Sequence, residues 1–156
     1  VLKYLTLIFV TLLFMMSCGP KVIFSDKQEI ADKWTYASPI TFTYEIEDTL
    51  KSYDLQLIVD HNKDFKYENL YINASTVFPD GKKITNPVSL QMTNPESEWI
   101  GNCSGDQCTL SIDILSGAFY KSIGKYSLII EQFSRSEILE GIKAIELKII
   151  EHQSQK

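Results

Sequence analysis

The chain has 156 residues, with 15 basic against 20 acidic side chains and a formal charge of −5. That acidic balance argues against nucleic acid, where a basic face must offset phosphates, and against adhesion to anionic lipid through surface charge. The length suits one domain, which at this size buries roughly two-thirds of its unfolded surface without a metal or many cross-links.

Residues 1–17 read "VLKYLTLIFVTLLFMMS", with one charge at Lys3 followed by an apolar run. The run is shorter than the roughly 20 residues that span a bilayer. A basic start, an apolar middle and a small residue at the end describe an export signal. Met15-Met16-Ser17-Cys18 resembles the lipobox of bacterial lipoproteins, whose cysteine is acylated and becomes the new N-terminus. Cys18 is therefore the expected lipidation site, and removal of residues 1–17 takes Lys3 with it. The alternative is an uncleaved anchor with an incidental cysteine. Residues 18–33 are mixed and polar; they are expected to form the lipidated N-terminus and a tether, with one helical turn near Ser25–Ala31.

From Trp34 the apolar residues recur with period two. Phe42, Tyr44 and Ile46 form one such row, and Tyr53, Leu55, Leu57 and Val59 the next. Leu70, Ile72, Ala74 and Phe78 follow, then Val88, Leu90 and Met92, then Leu110, Ile112 and Ile114. Tyr126, Leu128 and Ile130, and finally Ile145, Leu147 and Ile149, complete the series. Alternation means one buried and one wet face. Pro79-Asp80-Gly81 supplies a tight turn, since proline presets φ and glycine accepts a positive one. The expectation is an all-β, antiparallel β-sandwich of about 7–9 strands over residues 34–151, with 152–156 as a polar tail.

Little in the chain suggests catalysis. The histidines are His61, at a strand end, and His152, in the tail; Ser116 lacks the glycine spacing of a nucleophile elbow. Asp60, Asn62 and Asp64 imitate the start of a calcium loop, but Phe65 stands where the sharp turn needs glycine and Tyr71 where the bidentate glutamate belongs. No enzyme activity, metal or cofactor is expected. Cys103 and Cys108 remain as an even pair in an exported chain, where disulfides persist, and predict a bond closing the Ser104–Gln107 loop. The surrounding stretch "NPESEWIGNCSGDQC" is the most irregular in the chain. Asn94, Glu96, Glu98 and Trp99 are the candidate partner-binding residues, because tryptophan on a loop anchors interfaces well. The competing reading folds Trp99 back over the edge of the core. Phe65, Tyr67 and Tyr71 face the same choice between a ligand platform and a packed rim.

Several segments together resemble the GldH gliding-motility lipoprotein family of the Bacteroidota. They are "SYDLQLIVDHNKDFKYENLYINASTVFPDGKKI", "NPESEWIG", "GKYSLIIEQFSR" and "LEGIKAIELKIIE", and the resemblance as a whole runs from about Trp34 to Glu151. Val77-Phe78-Pro79-Asp80-Gly81 fits closely. In the tryptophan motif this chain has Asn94 where the family has aspartate, Ser97 where it has glycine, and Glu98 where it has a basic residue. The resemblance implies a lipid-anchored envelope protein, held to the bilayer by its acyl chains, that joins other envelope proteins in a motility- and secretion-linked assembly and has no catalytic residues. Asp48-Thr49-Leu50 resembles an O-glycosylation motif of that phylum, with Thr49 the acceptor; an ordinary turn is the alternative. Gly19-Pro20-Lys21 lacks the acidic run common in surface-displayed lipoproteins of the phylum, which predicts a periplasm-facing domain. The runner-up function is a carbohydrate- or peptide-binding sandwich that grips its ligand between exposed aromatics.

Overall fold

The structure, a computed structural model, describes residues 19–153. The signal segment 1–17, Cys18 and residues 154–156 lie outside the described residues. Eleven strands follow in chain order: β1 (Val22–Glu29), β2 (Lys33–Thr35), β3 (Ile40–Ile46), β4 (Ser52–Asn62), β5 (Asn69–Val77), β6 (Lys83–Gln91), β7 (Asn102–Ser104), β8 (Gln107–Phe119), β9 (Gly124–Gln132), β10 (Ile138–Glu140) and β11 (Ile142–Glu151). One sheet has the order β1-β11-β4-β8-β7 and the other β3-β9-β5-β6, while β10 and β2 form a small ribbon. Every pairing is antiparallel. The fold is the all-β sandwich that the alternation predicts.

The period-two rows become the core. Along β3 Ile40, Phe42, Tyr44 and Ile46 are buried while the residues between them are wet. Along β4 every second residue from Tyr53 to His61 is buried. Both sheets contribute to one apolar cluster, with Leu57, Leu147 and Ile149 from one and Phe42, Ile72 and Ile130 from the other. Burying each such side chain stabilises the fold by roughly 1.5–3 kcal/mol relative to exposure.

The seven rows correspond to β3, β4, β5, β6, β8, β9 and β11; the four further strands are β1 and the three-residue β2, β7 and β10. The helical turn expected at Ser25–Ala31 is corrected: those residues belong largely to β1, which pairs with β11 from Val22↔Ile150 to Glu29↔Ala144. The tether read over residues 18–33 is shortened with it. β1 is an edge strand: Ile23 and Phe24 pack against the core, while Ser25–Glu29 are exposed or half-buried and held by the ladder, and that polar stretch hid the strand.

The long strands run between two poles. The entry pole carries Lys21, whose carbonyl accepts from the Glu151 N–H at 2.8 Å, together with the β3–β4, β5–β6 and β8–β9 turns. The far pole carries the β4–β5 loop, the segment between β6 and β7, the β7–β8 hairpin and the β9–β10 loop. Among the described residues no helix is long and apolar enough to cross a membrane.

Candidate functional site

At the far pole, the Asn94 side chain organises the loop that follows β6. Its Oδ1 accepts from the backbone N–H groups of Glu96 at 3.1 Å and Glu98 at 2.9 Å. Its Nδ2 donates to Glu98 Oε2 at 3.0 Å. Asn94 and Glu98, two positions of the tryptophan motif, therefore meet each other directly, amide to carboxylate. Ser97, at the pattern's glycine position, is the one non-glycine residue with positive φ, at 61°, among the described residues. Its hydroxyl donates to Glu68 Oε1 at 2.8 Å and ties the loop to the start of β5.

The structure brings Asn94, Glu96, Glu98 and Trp99 together but does not present them equally. Glu96 and Glu98 are exposed. Trp99 is half-buried, donating from Nε1 to the Lys63 carbonyl at 3.2 Å, with its ring 4.7 Å from that of His61 and 6.2 Å from that of Phe65. Cys103 and Cys108 form a disulfide between facing positions of the β7–β8 hairpin beside this loop. Thr49 lies half-buried at the opposite pole, in the β3–β4 turn, where Asp48 Oδ1 accepts from the Leu50 N–H at 2.8 Å.

His61 is fully buried. Its Nδ1 is 2.9 Å from the Asn62 carbonyl, which can only accept, so Nδ1 holds the proton and Nε2 has no partner among the described residues. Burial pushes the imidazole below its ordinary range, against weaker opposing pulls from the Asn62 carbonyl and the Asp60 charge. The folded state thus resists protonation while the unfolded chain accepts it below about pH 6.5. Stability should fall as pH drops through that value, by up to about 1.4 kcal/mol per pH unit until the folded group also titrates. Urea unfolding at pH 7 and pH 5 measures the slope, and His61→Phe should flatten it; an unchanged slope would assign the acid sensitivity to other groups.

A feature that sequence reasoning reached only in part, through Tyr67 and Tyr71, lies next to the Asn94 loop. Tyr67, Asn69, Tyr71, Phe133, Ser134 and Arg135 line a cleft of about 710 Å³ over Leu70 and Leu139. Phe65 is buried, but Tyr71 is 49% and Phe133 57% exposed. The cleft wall is built by Gln132, itself buried. Its Nε2 donates to the carbonyls of Ser136 at 3.1 Å and Glu137 at 3.0 Å. Its Oε1 accepts from the Ser134 N–H at 2.9 Å and the Ser134 hydroxyl at 2.7 Å. The Phe133 N–H donates to the Tyr71 carbonyl at 2.8 Å, and the Tyr36 hydroxyl to the Ser134 carbonyl at 2.6 Å. One local signal pointed here: Tyr71 stands at a wet position between inward Leu70 and Ile72.

A serine, a histidine and an aspartate do converge on the outer face of the first sheet, but their wiring differs from a hydrolytic triad. The Ser116 hydroxyl donates to Asp54 Oδ1 at 2.9 Å, as does the Gly117 N–H at 2.8 Å, and His152 Nδ1 lies 2.8 Å from the same oxygen. Burial alone would raise the Asp54 carboxyl; the donors from Gly117, Ser116 and His152 outweigh it and hold it below the usual range. The serine proton is thus directed at the carboxylate, whereas nucleophile activation needs the imidazole as base. Asp60, from the calcium-like run, is ion-paired with Lys27 at 2.7 Å. No group of three His, Cys, Asp or Glu side chains is placed to hold a metal among the described residues.

Compared with known proteins, residues 22–149 match the family described as GldH lipoprotein, a segment that begins with β1 and ends within β11. A protein of Christiangramia forsetii described as "Gliding motility lipoprotein GldH homolog" is 30% identical over 137 residues, covering 87% of this chain and 84% of that protein. "Gliding motility lipoprotein GldH" of Flavobacterium johnsoniae is 26% identical over 135 residues, covering 86% and 84%. Among solved structures, a chain of "Structure of infectious bursal disease virus Gx strain" aligns with a TM-score of 0.37 and 13% identity, over 90% of this chain and 35% of its own length.

Proposed function

The chain belongs to the GldH lipoprotein family, and from that premise we propose that it is a membrane-anchored, non-enzymatic part of an envelope assembly linked to gliding motility and secretion. Acyl chains on Cys18 hold it to the bilayer, the domain faces the periplasm, and the far pole grips another envelope protein. One observation carries the last statement: Tyr67, Tyr71, Phe133 and Arg135 stand exposed around one cleft, contiguous through Glu68 and Ser97 with the Asn94 loop. Aromatic residues and arginine are what protein interfaces concentrate. Loops set on a rigid scaffold are where binding usually sits.

The test is capture of envelope proteins by the full acylated chain from detergent-solubilised membranes. Tyr71→Ala and Phe133→Ala should each weaken capture about 30-fold, the effect of losing an anchor of about 2 kcal/mol. Unfolding should move by less than about 0.5 kcal/mol, as for most exposed substitutions. Reversing Glu96 and Glu98 to lysine should act mainly on the association rate and its salt dependence, as rim charges do. Undiminished capture by all these variants, still folded, would move the contact to the wet faces of the strands.

The cleft also favours a second reading, in which the aromatic walls and Asn69 bind a glycan or an extended peptide. Soluble oligosaccharides that perturb the NMR signals of Tyr67, Tyr71 and Phe133, and no others, would select it.

A further inference from the structure

The entry pole ends in three exposed apolar side chains on different segments. Leu50 is 90% exposed in the β3–β4 turn, Phe119 is 70% exposed at the end of β8, and Ile123 is 63% exposed in the β8–β9 turn. Their placement at one end follows from the ladders: Ser52 pairs with Phe119, and Ile46 pairs with Gly124. These tips are not loose. The buried Tyr53 donates its hydroxyl proton to the Asp48 carbonyl at 2.7 Å, and the buried Tyr126 donates to the Ser122 carbonyl at 2.8 Å. Two turns are thus tied to the core while their apolar residues point into solvent. Lys82, Lys83, Lys121 and Lys125 are exposed in and beside the same turns. None of the four forms an ion pair among the described residues.

The chain enters the domain at this pole. Lys21 is fixed to Glu151 through its carbonyl at 2.8 Å and its Nζ at 2.9 Å. Three residue steps separate Lys21 from Cys18, and an extended chain spans at most about 11 Å over them. A 16-residue tether would have let the domain drift away from its anchor; this leash does not. We propose that the entry pole itself lies on the bilayer, with Leu50, Phe119 and Ile123 set among the headgroups and the surrounding lysines on lipid phosphates. The inference rests on acylation of Cys18, which supplies the anchor. Apolar tips with a cationic rim suit the membrane interface. The exposed Glu45, Glu47 and Asp80 lie at the same pole, with Glu45 opposite Lys125, so the local charge is near balance and the net negative charge of the whole chain does not by itself decide contact here.

The experiment uses the full acylated protein in vesicles of phosphatidylethanolamine and phosphatidylglycerol. Leu50→Cys, Phe119→Cys, Ile123→Cys and, at the far pole, Glu96→Cys each introduce one free thiol for a polarity-sensitive fluorophore, since Cys18 carries lipid and Cys103 is bonded to Cys108. Labels at 50, 119 and 123 should shift to the blue, lose accessibility to iodide and be quenched by brominated phospholipid, while the label at 96 stays aqueous. Iodide-accessible labels at all three tips would overturn the proposal. So would labels shielded from iodide yet untouched by brominated lipid, which would mean that a protein covers the pole. A glycan mass on Thr49 would also overturn it, because a sugar beside Leu50 would hold that tip off the surface. Absence of acyl mass on Cys18 would strike the anchor instead; the same labels, read on protein added to vesicles, then decide the contact separately.

Discussion

Gly101→Ala should destabilise the domain by roughly 3 kcal/mol or more. Gly101 has a φ of +100°, a conformation that costs a residue with a Cβ about 1–2 kcal/mol. A Cβ there would also clash with the Thr109 carbonyl oxygen and stand 3.1 Å from the Leu110 Cα. Those are backbone atoms of β8 and cannot swing aside as a side chain would. Forced overpacking adds about 1–3 kcal/mol. Gly105 is the control: it also has positive φ, at 59°, but nothing lies within 4 Å of its added Cβ. Gly105→Ala should therefore cost only the conformational part. Urea midpoints at constant m-value measure both. Equal losses would mean that the approach of Gly101 to β8 has no energetic weight. Because Gly101 follows Trp99 and Ile100, relief of the clash would lift the tryptophan off Phe65 and His61, so loss of Trp99 fluorescence shielding should accompany the loss of stability.

Gln132→Leu should cost roughly 3 kcal/mol and dismantle the cleft wall. The leucine fills a similar volume but makes none of the four hydrogen bonds that Gln132 makes to Ser134, Ser136 and Glu137. Leaving a buried donor or acceptor without its partner costs about 1–3 kcal/mol, and water reaching this surface loop recovers part of that. The effect should be local as well as global. Amides of residues 133–137 should exchange faster than the change in overall stability explains, because the loop loses its internal brace. Partner capture should fall even under conditions where the domain stays folded, since Phe133 and Arg135 ride on that loop. A loss below about 1 kcal/mol with unchanged exchange would show that Tyr36 and the Phe133–Tyr71 backbone bond hold the loop unaided.

Strands that bury a full face were legible because their chemistry repeats. Phe42, Tyr44 and Ile46, or Leu55, Leu57 and Val59, leave little choice of register, since a one-residue slip would turn each row outward. β1 escaped for the opposite reason: "SDKQE" buries almost nothing, and its place depends on the edge that β11 offers. β2, β7 and β10 are three residues long, too short for any period to show. The Asn94 loop was visible as irregular, and its disulfide followed from counting cysteines, but the half-burial of Trp99 depends on the distant His61 and Phe65. The cleft was less legible still. Tyr71 and Phe133 are brought together only when β5 pairs with β9, and Phe133 by itself reads as the end of a strand.

The direction of β1 has a mechanical consequence. Its entry-pole end is the end nearest the anchor, and its seven register pairs with β11 run from there toward the far pole. A partner pulling on the far pole against the lipid anchor would draw β1 lengthwise past β11. The ladder is then loaded in shear, and its hydrogen bonds resist together instead of opening one after another. β11 passes the load to β4, the central strand of the same sheet. Had the chain reached its anchor from the Glu29 end, the same tug would have unzipped the edge strand from its tip. Forced unfolding is governed by the rate of crossing that barrier and not by equilibrium stability, so a domain of ordinary stability wired in this way can stay folded while it carries tension from one pole to the other.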